Sequence, residues 1–257
     1  GKRLRPVLMY ETFKLFGGKS EAVNYFMAAI EMIHTYSLVH DDLPAMDNDM
    51  YRRGKLSTHA AFGHAAGILA GDALLNLAFE TALNAISEES DPVAVKNGLE
   101  ALKVIAERSG ISGMVGGQCL DVFSEESGTD LTEREILYIY HGKTSALLQA
   151  SLMAGALLGG ADPEYVRMMD EIGEYIGLAF QIRDDILDII STTEELGKPV
   201  GSDAENGKQT LALKIGIDAA QELVVEYSER AVGLFESIPY SNDVLKGLIE
   251  YLSVRNN

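Results

Sequence analysis

The sequence predicts an all-α protein, one domain of about ten helices. Three observations predict it. Apolar residues recur at the helical period of 3.6 over most of the 257 positions. No segment alternates with period two, and no repeat of fixed length recurs. The six prolines sit in short turn-like contexts, and the breakers fall between the apolar runs. The length suffices for one large core.

The first long run covers residues 22–39. Residues 60–86, 92–123, 132–158 and 163–190 follow, then 209–236 and 243–254 with a weaker pattern. Asp91-Pro92, Ser127-Gly128, Gly159-Gly160 with Asp162-Pro163, and the stretch from Gly197 to Gly201 separate them. Ser90 or Asp91, and Asp162, stand where an N-cap precedes proline at the first helical position. Residues 65–77 and 146–158 are apolar nearly all round, which suits a helix buried centrally or at a subunit interface. Their Ala, Gly and Ser permit close approach, and a homodimer is expected. No linker stands out, so residues 1–257 read as a single domain.

Hydrophobic residues are 47% and charged residues 23%, the balance of a folded globular chain. Net charge is −18, which argues against nucleic acid or anionic lipid as partners. It does not exclude anionic substrates, because divalent cations invert the local sign. The single cysteine, Cys119, rules out an intrachain disulfide framework and reads as a small buried residue of an apolar helix. A cytoplasmic setting is expected. No run of about 18 uncharged apolar residues indicates a membrane span, and no signal peptide is visible.

Two acidic segments carry the chemistry. The first is His40-Asp41-Asp42-Leu43-Pro44-Ala45-Met46-Asp47-Asn48-Asp49, directly after a long apolar helix. Carboxylates at a helix C-terminus oppose the helix dipole and repel one another. In a regular helix Asp41 and Asp47 lie about 240° apart, at about 100° per residue. They share a cation site only if the chain loops after Asp42, and Pro44 breaks the ladder there. The second segment is Gln181-Ile182-Arg183-Asp184-Asp185-Ile186-Leu187-Asp188. Asp184 and Asp188 are i and i+4 on one face, Asp185 points aside, and Ile182, Ile186, Leu187 and Ile189 belong to the core. Carboxylate clusters without cysteine are hard-oxygen sites that suit Mg2+. Such an ion completes its shell with water and phosphate oxygens.

The basic residues are few and lie beside these clusters. Lys2, Arg3 and Arg5 crowd the start, Arg52-Arg53 follow the first cluster, and Lys143-Thr144 opens an apolar helix. Lys198 and Lys208 flank a Gly-rich loop after the second cluster. Arginine pairs recognise phosphate bidentately and lysines supply point charges.

HTYSLVHDDLPAMDND followed by RRG, and FQIRDDILD followed by GKPVGSD, resemble the two aspartate-rich motifs of trans-isoprenyl diphosphate synthases, and among these the bacterial-type farnesyl diphosphate synthases. The resemblance runs from GKRLRP to the final helix and implies the isoprenoid synthase fold, helices around a deep central cavity. It further implies condensation of an allylic diphosphate, dimethylallyl or geranyl, with isopentenyl diphosphate, and two or three Mg2+ ions. Asp41, Asp42, Asp47, Asp184 and Asp188 match metal-holding positions. Arg52, Gln118, Asp121, Lys143, Thr144, Gln181, Lys198 and Lys208 match the allylic diphosphate site. Gly1, Lys2, Arg5, His34 and Arg53 match the isopentenyl diphosphate pocket. Asp41, Asp42, Lys143, Thr144, Asp184 and Lys198 are the positions where this resemblance puts catalysis.

The first motif is the longer form, with four residues between Asp42 and Asp47. Asn48 replaces an Asp, Tyr51 stands where Leu is usual, the family's N-terminal helix is missing, and only Arg255 is basic near the end. The family analogy makes Tyr36, with Ser37, a floor that stops growth at fifteen carbons. Tyr36 lies roughly 7.5 Å up an ideal helix from Asp41, and about 140° around it, so spacing alone leaves open whether it faces the cavity. The alternatives are a geranylgeranyl diphosphate synthase or a non-catalytic subunit of the same fold. Glu31-Met32-Ile33-His34 has the spacing of a di-metal bundle, but no second such pair exists. No EF-hand loop is present. A terpene cyclase would not need a second diphosphate pocket.

Overall fold

The computed structural model describes residues 2–190 and 209–254. These form twelve α-helices, one π-helical turn and one small hairpin. The helices are α1 (Leu4–Leu15), α2 (Ala22–Asp41), α3 (Thr58–Phe62), α4 (His64–Glu88), α5 (Pro92–Ser109) and α6 (Met114–Ser127). After α7 (Glu133–Tyr140) comes the π turn His141–Ser145, then α8 (Ala146–Gly159) and α9 (Pro163–Ile190). The rest are α10 (Leu211–Ile215), α11 (Ile217–Glu236) and α12 (Asp243–Val254).

Caps set several boundaries. The Asp91 carboxylate accepts from the Val93 N–H, with Pro92 at the first helical position. Thr132 and Glu135 form a reciprocal capping box at the start of α7. The sequence pattern joined some helices that the chain breaks. Gly63 (φ 93°) separates α3 from α4, and Gly216 (φ 89°) separates α10 from α11. Backbone of this kind is open to glycine and costly for other residues, while apolar periodicity runs on across it. The 92–123 run breaks at Gly110–Gly113, and the 132–158 run is widened by the π turn.

The hairpin is a second departure. Strands β1 (Tyr51–Arg52) and β2 (Lys55–Leu56) pair antiparallel, Tyr51 with Leu56 and Arg52 with Lys55. Arg53 (φ 54°) and Gly54 (φ 75°) form the two-residue turn, both left-handed as a type I′ turn requires. Two-residue strands are too short for alternation to register.

Three apolar clusters hold the bundle together. One joins α2, α4, α5 and α8 through Phe26, Ile30, Ile33, Ile105 and Leu147. A second joins α1, α8, α9, α11 and α12 through Leu152, Met169, Ile172 and Leu245. A third underlies the second acidic motif, with Ile136, Ile182, Ile186 and Leu211. Helix α8 is buried nearly all round, as its composition implies. Helix α4 is not central: Ile68, Leu69, Leu77 and Leu83 are exposed. It is also the one described helix long and apolar enough to cross a membrane, a point that counting uncharged runs misses. Its inner face packs on α2 through Ala78 and Ala82 in the first cluster.

Candidate active site

The first acidic motif is a helix end folded back on itself. Helix α2 stops at Asp41, and Leu43 N–H tightens the end by donating to the His40 carbonyl (3.1 Å). After Pro44 the chain returns, and Asp47 N–H donates to the Asp41 carbonyl at 2.9 Å. This is the loop that the sequence required if Asp41 and Asp47 were to meet. Asn48 (φ 54°) completes it in the left-handed region, which Asn tolerates better than most residues. Burial raises the Asp41 carboxyl above the usual range, Lys143 opposes this, and Asp47 adds to it. Gln118 donates to Asp41 Oδ1 at 2.8 Å.

Asp42 is buried and held by Arg52, with Nε and Nη2 both 2.6 Å from Oδ1. Asp49 reaches the same guanidinium at 3.6 Å. Burial pulls the Arg52 group down, but bonding to Asp42 outweighs it and leaves Arg52 above its ordinary value.

The π turn brings two consecutive side chains to the opposite wall. Lys143 Nζ donates to Asp121 Oδ2 at 2.7 Å, and Thr144 Oγ1 donates to Gln181 Oε1 at 2.8 Å. Burial lowers the Lys143 ammonium's pKa, yet Asp121 and the more distant Asp41 and Asp47 keep it above its ordinary value. The turn lies close to α6: a Cβ on Gly142 would come within 2.8 Å of the Gly117 Cα.

In the second motif Asp185 is buried, accepts from the Tyr140 hydroxyl, and takes a further bond from Gln181 Nε2 at 3.2 Å. The Tyr140 oxygen in turn accepts from the Leu211 N–H at 2.8 Å. Burial, then the Asp185 charge, pushes the Tyr140 phenol far up, so it stays a neutral donor. Asp188 is buried and Asp184 partly exposed.

Two chambers meet behind these motifs. The larger, about 660 Å³, is lined by Tyr36, Ser37, His40, Asp41, Met46, Met114, Gln118, Cys119, Lys143, Thr144, Leu147 and Gln181 among others. Tyr36 therefore faces the cavity, edge-on to His40 at 5.8 Å. The smaller, about 290 Å³, is lined by Lys2, Arg3, Arg5, Glu31, His34, Arg53 and Tyr251. Arg5, His34 and Phe180 line both. Burial drives the His34 imidazole down to about 3, helped by Arg5, Arg53 and Arg52, so it is neutral at pH 7. Arg5, partly buried, is lowered to about 10 by burial despite Glu31, and its Nε lacks a hydrogen-bond partner among the described residues. Of the three non-glycine residues with positive φ among the described residues, Arg3 and Arg53 line this basic chamber. Backbone strain of that kind gathers at functional sites.

A family model described as polyprenyl synthetase matches residues 1–233. The chain is 45% identical over 258 residues to the farnesyl diphosphate synthase of Geobacillus stearothermophilus, covering 100% of this chain and 85% of that protein. The chain belongs to the polyprenyl synthetase family. A geranylgeranyl diphosphate synthase of Cyanophora paradoxa is 41% identical over 262 residues, covering 100% of this chain and 84% of that protein. Among solved structures, an FPP/GFPP synthase from Zymomonas mobilis superposes with a TM-score of 0.84 at 35% identity, over 99% of this chain and 84% of that one. A Helicobacter pylori geranyltransferase complexed with magnesium and isoprenyl diphosphate superposes with a TM-score of 0.82 at 30% identity, over 98% and 82%.

Among the described residues of this polyprenyl synthetase, no three His, Cys, Asp or Glu side chains converge on one point. Several of the acidic groups are instead engaged by Gln118, Arg52, Lys143 and Tyr140. The donor chemistry fits Mg2+: carboxylate oxygens in which one or two per ion suffice beside phosphate oxygens and water. Gly1, Lys198, Lys208 and Arg255 lie outside the described residues.

One expectation needs correction. Cys119 is exposed, on the cavity wall, because an apolar helix face toward a cavity has the same pattern as one toward a core. Arg52, expected at the allylic diphosphate, stands beside the first motif and pairs with Asp42. The sequence reading missed Phe180, Tyr251 and Tyr140. Phe180 adjoins Gln181 in the second motif and Tyr140 precedes the His-Gly-Lys-Thr turn, so proximity was the available signal. Tyr251 meets Lys2 only through the fold, with its oxygen 3.1 Å from Nζ.

Proposed function

We propose that this prenyltransferase condenses an allylic diphosphate, dimethylallyl or geranyl, with isopentenyl diphosphate, giving farnesyl diphosphate. One observation carries the reading. An apolar-walled chamber with acidic and basic groups at its mouth adjoins a basic chamber, and the two share Arg5, His34 and Phe180. That arrangement suits two diphosphates whose hydrocarbon parts face each other.

Asp41, Asp42, Asp47, Asp184 and Asp188 would hold Mg2+, two or three ions by family resemblance. The ions would supply Lewis-acid stabilisation of the leaving diphosphate. Lys143 and Arg52 add positive charge there, and Gln118 and Asp121 orient Asp41 and Lys143. Lys198 and Lys208 belong to the same role by resemblance. The allylic C–O bond breaks, and the electron pair leaves with the diphosphate. The isopentenyl double bond attacks the cation, and the adduct loses a proton to the departing diphosphate. Thr144 and Gln181, bonded to each other at the cavity wall, present oxygen dipoles to the developing cation. The apolar wall keeps water from it. Lys2, Arg5, His34 and Arg53, with Gly1 by resemblance, would hold the isopentenyl diphosphate. Neutral His34 can donate one N–H to it.

Tyr36 on the wall favours the fifteen-carbon product over the geranylgeranyl alternative. The exposed apolar side chains of α4, such as Leu69 and Leu83, support a homodimer. We place the enzyme in the cytoplasm, with residues 1–257 acting as one catalytic domain. The test is incubation with geranyl or dimethylallyl diphosphate, isopentenyl diphosphate and Mg2+, followed by product sizing. A fifteen-carbon product is expected, and no product from any allylic primer would overturn the reading.

A further inference from the structure

The run from α7 to α8 would be one continuous helix but for the π turn at His141–Ser145. A π turn is rare, costs backbone energy and recurs at functional sites. Its effect is visible in where the side chains go. Lys143 and Thr144 both line the large cavity, although neighbours on an α-helix diverge by about 100°. His141 and Ser145 point the other way, to Glu174 on α9. His141 Nδ1 is 3.5 Å from Glu174 Oε1, and Ser145 Oγ donates to the Glu174 carbonyl at 3.3 Å.

Behind this contact lies a polar cluster in an otherwise apolar bundle. Arg108 of α5 grips Asp170 with Nη2 at 2.6 and 2.8 Å, and its Nη1 lies 3.5 Å from His141 Nε2. Gln149 of α8 donates to Asp170 at 2.7 Å. Burial raises the Asp170 carboxyl against the pull of Arg108, whereas the bond from His141 lowers Glu174. Neither Arg108, His141, Asp170 nor Glu174 lines a chamber. These side chains are partly exposed, and ion pairs so placed contribute little, so stability is a weak reason to keep them. Orientation is a better one. Glu174, Gln181 and Asp185 follow at seven and four residues along α9, one helical face that meets the turn at its back and its front.

We propose that His141 and Glu174, backed by Arg108 and Asp170, are positioning residues that fix the π turn and thereby aim Lys143 and Thr144 into the cavity. This rests on the prenyltransfer reading above. The basic groups of the isopentenyl chamber, Lys2, Arg5, His34 and Arg53, stand on other elements, with Phe180 the contribution of α9 to its wall.

The test is steady-state kinetics of wild type, Glu174→Ala, Glu174→Gln and His141→Leu, with thermal melts of each. An ångström of misplacement costs on the order of a hundredfold. The expected result is a kcat lower by about ten- to a hundredfold in Glu174→Ala and His141→Leu, with KM for isopentenyl diphosphate kept within about twofold. Glu174→Gln, whose amide oxygen still accepts from His141, should recover most of the loss. A kcat within about twofold of wild type in both disruptive variants overturns the inference. So does a Gln variant as impaired as the Ala variant, or a KM for isopentenyl diphosphate that rises in step with the loss of kcat. Should Glu174→Ala not fold, His141→Leu and Glu174→Gln decide alone. A wild-type enzyme that makes no product refutes the prenyltransfer reading itself, a different outcome from active wild type with indifferent variants.

Discussion

Replacing Tyr36 with alanine should move the product from fifteen carbons to twenty. The ring is 7% exposed, lies edge-on to His40, and walls the 660 Å³ cavity on the helix that ends in Asp41. Removing it opens space for one more five-carbon unit. At about 0.8 kcal/mol per buried CH2, five carbons gain at most about 4 kcal/mol. That is close to a thousandfold in relative occupancy, at about 1.4 kcal/mol per factor of ten. The protein itself loses about 3–5 kcal/mol, the usual cost of truncating a buried aromatic. For a chain of this size that is a fall in Tm on the order of 10 °C. The assay is labelled isopentenyl diphosphate with a geranyl primer, product extraction and chain sizing, with a melt in parallel. Tyr36→Phe keeps the ring and should keep the fifteen-carbon product. A destabilised alanine variant with an unchanged product profile would make Tyr36 a core tyrosine and refute the floor.

Cys119 is the only cysteine and stands on the wall of the same cavity, so alkyl thiosulfonates of rising size should shorten the product in steps, reversed by reductant. Product length independent of adduct size would count against this wall. His34 has a folded-state value of about 3 against 6.5 for the free group. Between those values the unfolded chain holds a proton that the folded one does not, so this group's contribution to stability falls as pH drops from about 6.5 toward 3, by no more than about 1.4 kcal/mol per unit. Denaturant midpoints for wild type and His34→Gln should converge or cross in that window, and parallel profiles would refute it. Tyr140→Phe removes one bond from Asp185 and leaves the Leu211 N–H without the hydroxyl that accepts from it, a loss of about 1–3 kcal/mol that chemical denaturation would register. An unchanged midpoint would show that the hydroxyl is dispensable.

The helical class and most boundaries were legible, because period 3.6, caps and glycines are local signals. Pro44 even indicated the return of Asp47 to Asp41, since a regular helix could not bring them together. The π turn was not legible: His-Gly-Lys-Thr-Ser fits α-helical periodicity, and the extra residue is fixed by contacts to α6 and α9 that lie far away in sequence. The Arg53-Gly54 hairpin was hidden by its brevity. Cys119 and Phe180 were hidden by chemistry, because an apolar cavity wall and an apolar core demand the same residues. Arg52 shows the reverse limit: its place beside the acidic motif was readable, but its engagement with Asp42 depends on where the hairpin turns.

The partition of Arg5, His34 and Phe180 between the chambers bears on how this molecule can diverge. A substitution in that wall disturbs both substrates at once, so it is pleiotropic. Tyr36 and Cys119 touch the large chamber alone. Inheritance can therefore vary product size at the far end while the shared wall stays frozen, and a lineage can explore new chain lengths without relearning how to hold its five-carbon donor.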